Sequence, residues 1–396
     1  MRIAMVSAGE SGAGQRVHVA ELSAALARRG HAVTVYTRQE SALLPDRDRA
    51  ELGYDVVNVS AGPAVRIDEN EMIHQVGRLA DLLGREWRDA PPDVVHAHGW
   101  TSGLASVLAE HRGIPVVQTY YGLGGSVRRS LAERIVGREV TRVAAMSSNE
   151  VLALLRTGVS RSRISVVPTG VDVQMFTPWG RRAKRGTRSR IVAVRTAVPQ
   201  SGLADLVKVL SHVEDAELLI IGGPARRQIG QEPGTRRLRA FAADAGVADR
   251  VVFTGGVSRE RSVALLRSAD VVVCAPRCEP VGHVSLEAMA CGVPVVATAV
   301  GALADSVVDG VTGLHVPPGK PRLLARALCG LLGDDVRRQE FGAAGRDRAC
   351  ARYSWDRVAA DTVRAYERAG ARGAGLLKRT KTSRQADGAG RTSTVD

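Results

Sequence analysis

The feature that most constrains the fold is a regular alternation of short apolar runs with longer amphipathic stretches along most of the 396-residue chain. Apolar runs rich in Val and Ile that lie between helical patterns are typical of parallel strands buried on both faces. The first half contains seven such runs, at 2–7, 32–37, 55–59, 93–98, 115–120, 142–147 and 165–168. Helical patterns separate most of them, over 15–29, 71–88, 101–111 and 149–157.

The same alternation starts again in the second half of the chain. Its apolar runs lie at 191–195, 217–221, 250–253, 270–274, 294–298 and 313–316. The sequence therefore predicts an α/β fold with two doubly wound, Rossmann-like domains that face a cleft. We expect the first domain over 1–175, a basic linker over 176–189, the second domain over 190–351, a helix over 352–369 that braces the first domain, and a disordered basic tail over 370–396. Ligands of such sheets bind beyond the carboxyl ends of the strands, so the cleft is the expected site.

The formal net charge of +14 is concentrated in two segments. Residues 178–190 carry six basic and no acidic groups, and residues 371–396 carry six basic and two acidic groups. The remaining body has no basic stripe interleaved with aromatic residues, which is the pattern typical of nucleic-acid binding. We therefore expect no nucleic-acid partner.

Cysteine usage and hydropathy indicate a cytoplasmic protein without integral membrane association. The five cysteines are scattered, as expected for a reducing compartment. Cys274 and Cys278 lie four apart, but no second Cys or His pair completes a zinc pattern, so we predict no metal site. No apolar run approaches the roughly 20 residues that span a bilayer. The first residues form a strand pattern rather than a signal peptide.

Two glutamates eight residues apart frame the most informative stretch, "RCEPVGHVSLEAMACGVPVVAT" at 277–298. Its pattern predicts that Glu279 lies in a loop and that Glu287 lies inside the helix that follows. Backbone N–H groups at the helix start would be free to bind an anion. Two carboxylates that accept hydroxyl hydrogen bonds, on either side of a phosphate-binding helix start, suit a sugar nucleotide. The alternative is a buried strand, loop and helix with two solvated glutamates.

Several stretches, taken in order, carry a resemblance to a known family: "AGQRVHVAELSAALARRGHAVTVYT", "PDVVHAHGW", "PVVQTYYGLG", "SRISVVPTGVDVQMFTP", "ADVVVCAPRCEPVG" and "VGALADSVVDGVTGLHVPPG". With the Glu-x7-Glu pattern, they resemble the retaining GT-B glycosyltransferases of family four, also called glycosyltransferase group 1. The resemblance covers roughly residues 1–369. It implies an enzyme that moves a hexose or aminohexose from a nucleotide donor, such as a UDP-sugar, to a small hydroxylated acceptor with retained anomeric configuration. No metal or other cofactor is implied, because basic side chains and helix N–H groups stabilise the leaving diphosphate.

The same resemblance assigns roles to individual residues. Glu279 would contact the hydroxyls of the donor sugar in the catalytic site, and Glu287 would bind the ribose hydroxyls. Gly14 would end a glycine-rich turn that lets the backbone approach the pyrophosphate. The N–H groups of the loop at Gly282, His283 and Val284 would bind the sugar and phosphate.

The departures from the family pattern cluster at the donor site. "RTAVPQSG" at 195–202 places Thr196 and Ser201 where the family has the Arg and Lys that clamp the diphosphate. Tyr121 replaces a histidine in the catalytic region. Arg195 and Arg277 are the hypothesised replacements for the missing clamp. An alternative is a degenerate GT-B protein of weak or no activity that acts as a binding partner.

The loops of the first domain carry acids that bear on the acceptor, namely Glu10, Asp68, Glu69 and Glu71. They favour a cationic acceptor, such as the aminocyclitol or pseudodisaccharide of an aminoglycoside antibiotic, which also fits an actinobacterial, Arg- and Ala-rich composition. Acids that complement the dipole of a helix start are the simpler explanation. An acceptor of the inositol or cell-envelope glycolipid type is the alternative and would need Lys and Arg here.

Two histidines end the strand over 93–98. We expect His98 to contact the acceptor and His96 to face the other way, as a core residue. Two other enzyme classes also bind nucleotides in such folds. The glycines at 9, 12 and 14 are not spaced as in a nicotinamide-binding loop, and no acidic residue follows the second strand. A sugar-nucleotide epimerase would share the two-domain form.

Overall fold

The computed structural model describes residues 1–9, 12–109, 113–195 and 202–371. Its strands, in chain order, are β1 (Arg2–Val6), β2 (Ala32–Arg38), β3 (Arg47–Arg49), β4 (Asp55–Val59), β5 (Val94–His98), β6 (Val116–Thr119), β7 (Arg142–Ala145), β8 (Ile164–Val166), β9 (Ser189–Val194), β10 (Ala216–Ile221), β11 (Val251–Gly255), β12 (Val271–Cys274), β13 (Val295–Thr298) and β14 (Gly313–Val316). All thirteen apolar runs named from the sequence form strands, and no end is shifted by more than two residues.

The helices surround these strands in the order in which the sequence alternates. They are α1 (Ala13–Arg28), α2 (Glu69–Asp89), α3 (Trp100–Leu108), α4 (Val127–Glu139), α5 (Ser148–Arg156), α6 (Leu203–Val209), α7 (Pro233–Asp244), α8 (Arg259–Leu266), α9 (His283–Ala290), α10 (Leu303–Ser306), α11 (Pro321–Leu332), α12 (Asp335–Tyr353) and α13 (Trp355–Arg368).

The strands form two separate sheets. The first has the order β3-β4-β2-β1-β5-β6-β7-β8 and the second the order β11-β10-β9-β12-β13-β14. Every pairing is parallel except that of β3 with β4, which is antiparallel. The structure thus confirms the predicted fold class of two doubly wound, Rossmann-like domains.

No pattern in the sequence indicates β3. Its three residues are polar and exposed, so no apolar periodicity marks them. The strand exists because it pairs with β4 at the sheet edge, which is a tertiary interaction rather than a local preference.

The last helix returns from the second domain to the first. α13 packs against α1, and its Trp355, Val358 and Tyr366 are buried in the same core as Leu22 of α1. The predicted basic linker contains no strand or helix over 176–188, but its last residue, Ser189, begins β9. It is nevertheless fixed to the second domain, because the Ala183 N–H donates to the Ala264 carbonyl.

No helix in the described part of the chain has the length and apolar character needed to cross a bilayer. The described residues also contain no group of three or more His, Cys, Asp or Glu side chains arranged to hold a metal ion.

Candidate active site

The two sheets place their switch points on the same cleft. In the first sheet β1 and β5 lie side by side and lead to helices on opposite sides, and in the second β9 and β12 do so. A crevice lies beyond β9 and β12, lined by Val194, Cys274, Glu279 and Val284 among others. Ligands of open α/β sheets bind at such positions.

The loop that leads into α9 is held by Glu279. One carboxylate oxygen, Oε1, accepts hydrogen bonds from the N–H groups of Val281 (3.2 Å) and Gly282 (3.0 Å). Gly282 has φ +77°, a left-handed conformation that favours glycine, and it immediately precedes the helix. The prediction that the N–H group of Gly282 is free for a ligand was therefore wrong for this state, because the neighbouring carboxylate already accepts from it.

Glu287 lies on the second turn of α9 and is partly buried. Burial raises the pKa of its carboxyl from 4.5 to about 7, while the positive charge of Arg259 acts in the opposite direction. Arg259 also joins the two domains, since its guanidinium donates to Glu21 of α1 at 2.7 Å. The carboxylates of Glu279 and Glu287 both raise the pKa of the buried Cys274 thiol, which desolvation already raises. The two glutamates thus act on one small region at the end of β12.

His283 joins the start of α9 to the start of α1. Its Nε2 lies 3.1 Å from the carbonyl oxygen of Gly14, and its Nδ1 lies 3.3 Å from Oγ1 of Thr169. Gly14 lies within the first turn of α1, not at the end of a preceding loop as predicted from the sequence. An added Cβ at Gly14 would lie 3.4 Å from the His283 ring, which leaves little room for a side chain. The N-terminal ends of two helices therefore meet across the cleft, where their dipoles both favour an anion.

The partners of the His283 ring indicate which of its nitrogens carries a proton. A carbonyl oxygen only accepts, so His283 Nε2 carries the proton that goes to Gly14. Burial lowers the pKa of His283, while backbone hydrogen bonds with Gly14 and Gly170 act in the opposite direction. The Thr169 hydroxyl also lies 3.1 Å from Nδ1 of the buried His18, whose pKa burial lowers. His18, Thr169 and His283 form one continuous chain of hydrogen bonds from α1 to α9.

A second histidine at the cleft has an unsatisfied nitrogen. His98, at the end of β5, is fully buried, and its Nδ1 lies 2.9 Å from the Tyr121 hydroxyl. Among the described residues, no group bonds to its Nε2, which is also buried. Tyr121 has φ +62°, which is uncommon for a residue with a side chain and costs about 1 kcal/mol or more. An orphaned polar atom beside a strained residue is typical of a site that a ligand completes.

His96 is a core residue, but the prediction that it faces away from His98 was wrong. Side chains two apart on a strand share a face, and the two rings lie 4.1 Å apart. Both His96 nitrogens have partners, the Tyr366 hydroxyl and the Thr119 hydroxyl, each at 2.9 Å.

The two arginines named as replacements for the diphosphate clamp differ in their surroundings. Arg195 forms a two-point ion pair with Glu232 at 2.7 and 2.8 Å, where Glu232 caps the start of α7. Arg277 is exposed beside Gly319, and no ion pair involving it occurs within the described ranges. Of the two, only Arg277 has a guanidinium that is not already engaged by a carboxylate.

Two of the four acidic residues named in the first domain, Asp68 and Glu71, are explained by a helix start. Asp68 caps α2 by accepting from the Glu71 N–H at 2.8 Å, and the Glu71 carboxylate accepts in return from the Asp68 N–H at 3.2 Å. This capping box accounts for the two acids without an acceptor. Three residues named from the sequence, Glu10, Thr196 and Ser201, lie outside the described residues.

Sequence reasoning missed three residues whose contacts join the two domains across the cleft. His18 lies one helical turn after Gly14, and that spacing was the only available signal that both face the same side. Thr169 and Arg259 gave no signal, because their partners are distant in sequence and two of them, His283 and Glu21, belong to the other domain.

Two Rossmann-like domains whose helix starts meet across a cleft define a GT-B glycosyltransferase fold. A model of "Glycosyltransferase Family 4" matches residues 12–175, and one of "Glycosyl transferases group 1" matches residues 180–348. The D-inositol 3-phosphate glycosyltransferase of Xylanimonas cellulosilytica is 36% identical, over 91% of this chain and 93% of that protein. That of Geodermatophilus obscurus is 34% identical, over 91% of this chain and 85% of that protein. The chain belongs to the group 1, family 4 glycosyltransferases and is a glycosyltransferase.

Solved structures show the same fold. The sucrose-phosphate synthase of Thermosynechococcus elongatus superposes with a TM-score of 0.81 at 25% identity, over 93% of this chain and 98% of that one. The Anabaena protein HepE, in complex with UDP and glucose, has a TM-score of 0.73 at 17% identity, over 93% of this chain and 99% of that one.

Proposed function

We propose that the chain transfers a hexose or aminohexose from a nucleotide donor, first among them a UDP-sugar, to a cyclitol hydroxyl with retention of configuration and without a metal ion. The observation that carries the donor half of this proposal is the meeting of the α1 and α9 starts at the Gly14–His283 contact. A diphosphate placed there would face two positive helix ends. The sequence lacks the usual Arg and Lys at Thr196 and Ser201. We therefore expect these dipoles, aided by Arg277, to stabilise the leaving group.

The proposed roles of the two glutamates follow from their positions at the end of β12. Glu287 in its ionised form would accept hydrogen bonds from the ribose hydroxyls. Glu279 would turn from the N–H groups of Val281 and Gly282 toward the donor sugar, releasing those N–H groups to the phosphate. His98 Nε2 would contact the acceptor or the transferred sugar, which would satisfy its buried nitrogen.

Inositol phosphate is the first acceptor to test. Relatives that align over nine tenths of this chain bear the name D-inositol 3-phosphate glycosyltransferase. The acids Asp68 and Glu71, which favoured a cationic acceptor on sequence grounds, bond to each other in a capping box. They therefore give less support to a cationic acceptor than their sequence positions suggested.

An aminocyclitol remains the second candidate because of one structural observation. Arg66 is the only basic residue between positions 60 and 72, and its guanidinium pairs with Glu40 at 3.1 Å. This loop therefore contributes no uncommitted cation to an acceptor phosphate. An acceptor without a phosphate, or with amino groups, would not need one.

Product formation with matched acceptors separates these possibilities. The full chain would be incubated with UDP- and GDP-sugars and with myo-inositol, inositol phosphate or an aminocyclitol, and the products analysed by mass spectrometry and by NMR of the anomeric proton. Transfer to inositol phosphate with retained configuration, unchanged in EDTA, is the expected result. Transfer to the aminocyclitol alone would overturn the acceptor assignment. Donor hydrolysis or binding without transfer to any cyclitol would overturn the acceptor class as a whole.

A further inference from the structure

A groove of about 870 Å³ lies between the two domains, apart from the donor crevice. Its walls come from the edge strand β8, from α10, and from the last two helices, α12 and α13. No residue that lines the donor crevice also lines this groove. The groove is therefore a separate concavity, and its volume falls within the roughly 300–1,000 Å³ of small-molecule sites.

Arginines dominate the charged lining of this groove. Five arginines and three aspartates face it: Arg348, Arg352, Arg357, Arg364, Arg368, Asp305, Asp309 and Asp361. The three arginines of α13 are spaced seven and four residues apart, which places them on one face of the helix. The two arginines of α12 are four apart and also share a face. The groove thus has two rows of guanidinium groups.

The internal carboxylates neutralise only part of this charge. Arg357 and Arg364 both pair with Asp361. Arg348 donates to the carbonyl oxygens of Asp305 and Ser306 at 2.7 and 2.9 Å.

The other two arginines of the groove have no such partners. Within the part of the chain that the structure describes, the guanidinium groups of Arg352 and Arg368 make no hydrogen bond or ion pair, and both residues are exposed. These two are the groove arginines whose guanidinium groups have no partner among the described residues.

Two side chains, one in each domain, carry further buried nitrogens without a partner among the described residues. Arg142 donates to Ser165 in the groove wall at 3.2 Å and to the Arg368 carbonyl at 3.3 Å. Its Nε is buried and, among described residues, has no partner, and the same holds for Nε2 of His315 in the groove lining. Burial lowers the pKa of Arg142, and the positive charges of Arg368 and Arg163 lower it further. The charged groups that act on Arg142 at this end of the groove are therefore both positive.

We propose that this groove binds a phosphate group, carried by a small organic phosphate or by a lipid headgroup, with Arg352 and Arg368 as its principal ligands. Planar guanidinium groups bind phosphate oxygens through paired, charge-assisted hydrogen bonds, which suits exposed arginines without counter-ions. The occupant would contact both domains. The groove wall also includes the buried Thr169, which bridges His18 to His283. Binding would therefore favour the arrangement of the two domains seen here.

Pyrophosphate titration with hydrogen–deuterium exchange tests the site, because exchange locates the ligand as well as detecting it. The Arg352→Gln/Arg368→Gln double variant removes the two free cations. The Arg322→Gln/Arg326→Gln variant is a matched control, since both of these arginines are exposed on α11 and the charge change is identical. We expect pyrophosphate to slow exchange over 348–368 in the wild type and in the control. The groove variant should lose this protection, with an affinity lower by roughly tenfold or more.

Three further outcomes decide the proposal. Protection only at the starts of α1 and α9, the same in all three proteins, would place pyrophosphate in the donor site alone and overturn it. Flotation with vesicles of anionic or of neutral phospholipid identifies the source of the phosphate. Recruitment to anionic vesicles that the groove variant loses and the control keeps would assign a lipid headgroup. Absence of both pyrophosphate protection and vesicle recruitment would overturn the proposal.

Discussion

Replacement of Glu287 by glutamine should stabilise the free protein at high pH while weakening its donor site. Glutamine has nearly the shape of a protonated glutamate but never ionises. In the folded chain, burial raises the pKa of the Glu287 carboxyl to about 7 from a usual 4.5. A difference of this size corresponds to about 3 kcal/mol between the two protonation states.

The direction of the pH dependence follows from proton binding. Between pH 4.5 and 7 the folded chain keeps the Glu287 proton while the unfolded chain has released it. The folded state therefore binds more protons, and the free energy of unfolding of the wild type falls as pH rises through this window. The Glu287→Gln variant lacks this loss. We expect the free energy of unfolding of this variant to exceed that of the wild type by up to about 3 kcal/mol at pH 8.5 and by less than about 1 kcal/mol at pH 5.

Urea denaturation at the two pH values, followed by tryptophan fluorescence, measures this difference. Glu340→Gln is the matched control, because Glu340 is exposed on α12 and its removal changes the net charge equally. The Glu287→Gln variant should also bind the nucleotide donor roughly tenfold more weakly by calorimetry, since a hydrogen bond to a charged acceptor is lost. A Glu287→Gln variant whose stability relative to the wild type is the same at pH 5 and pH 8.5 would refute the reasoning.

Three further substitutions test other contacts. Thr169→Val removes the hydroxyl between two buried histidines and should lower kcat/KM by about tenfold or more. The control Thr362→Val loses one hydrogen bond within α13 and should leave kcat/KM unchanged. Equal effects of the two substitutions would argue against a role for the hydrogen bonds that join His18 and His283 through Thr169. Arg195→Gln should reduce the free energy of unfolding by about 1 kcal/mol through the lost Glu232 pair and leave nucleotide affinity within about threefold; a large loss of affinity with unchanged stability would make Arg195 a diphosphate ligand. Asp68→Ala should destabilise by about 1 kcal/mol with an unchanged KM for the acceptor, and a raised KM would show a direct acceptor contact.

The fold was readily predicted because its signal is local and repeated. Buried parallel strands must be apolar on both faces, so each central strand is a visible run of Val and Ile, as at Val271–Cys274. The edge strand Arg47–Arg49 escaped, since it is exposed and exists only through pairing with its neighbour. The orientation error at His96 arose from the two-residue period of a strand, which places it on the same face as His98.

The sequence predicted the positions of the site residues but not their hydrogen-bond partners, and the reason is physical. Motif spacing located Glu279, Glu287 and the start of α9, because these lie on one continuous strand, loop and helix. Which atoms are free is a different question, since it depends on partners far away in the chain. Arg195 meets Glu232 and His283 meets Gly14 only after the sheets have formed.

The sequence by itself determined the two doubly wound domains, the family and the positions of the glutamate pair, because each rests on periodicity or on residues close together along the chain. Only the tertiary structure decided how the cleft is joined and charged. The hydrogen-bond chain from His18 through Thr169 to His283 spans 265 positions of the numbering. The raised pKa of Glu287 likewise depends on burial, and packing alone decided that Arg352 and Arg368 have no ion-pair partner among the described residues although aspartates line the same groove. Burial and long-range pairing are properties of packed surfaces, and no local pattern encodes them.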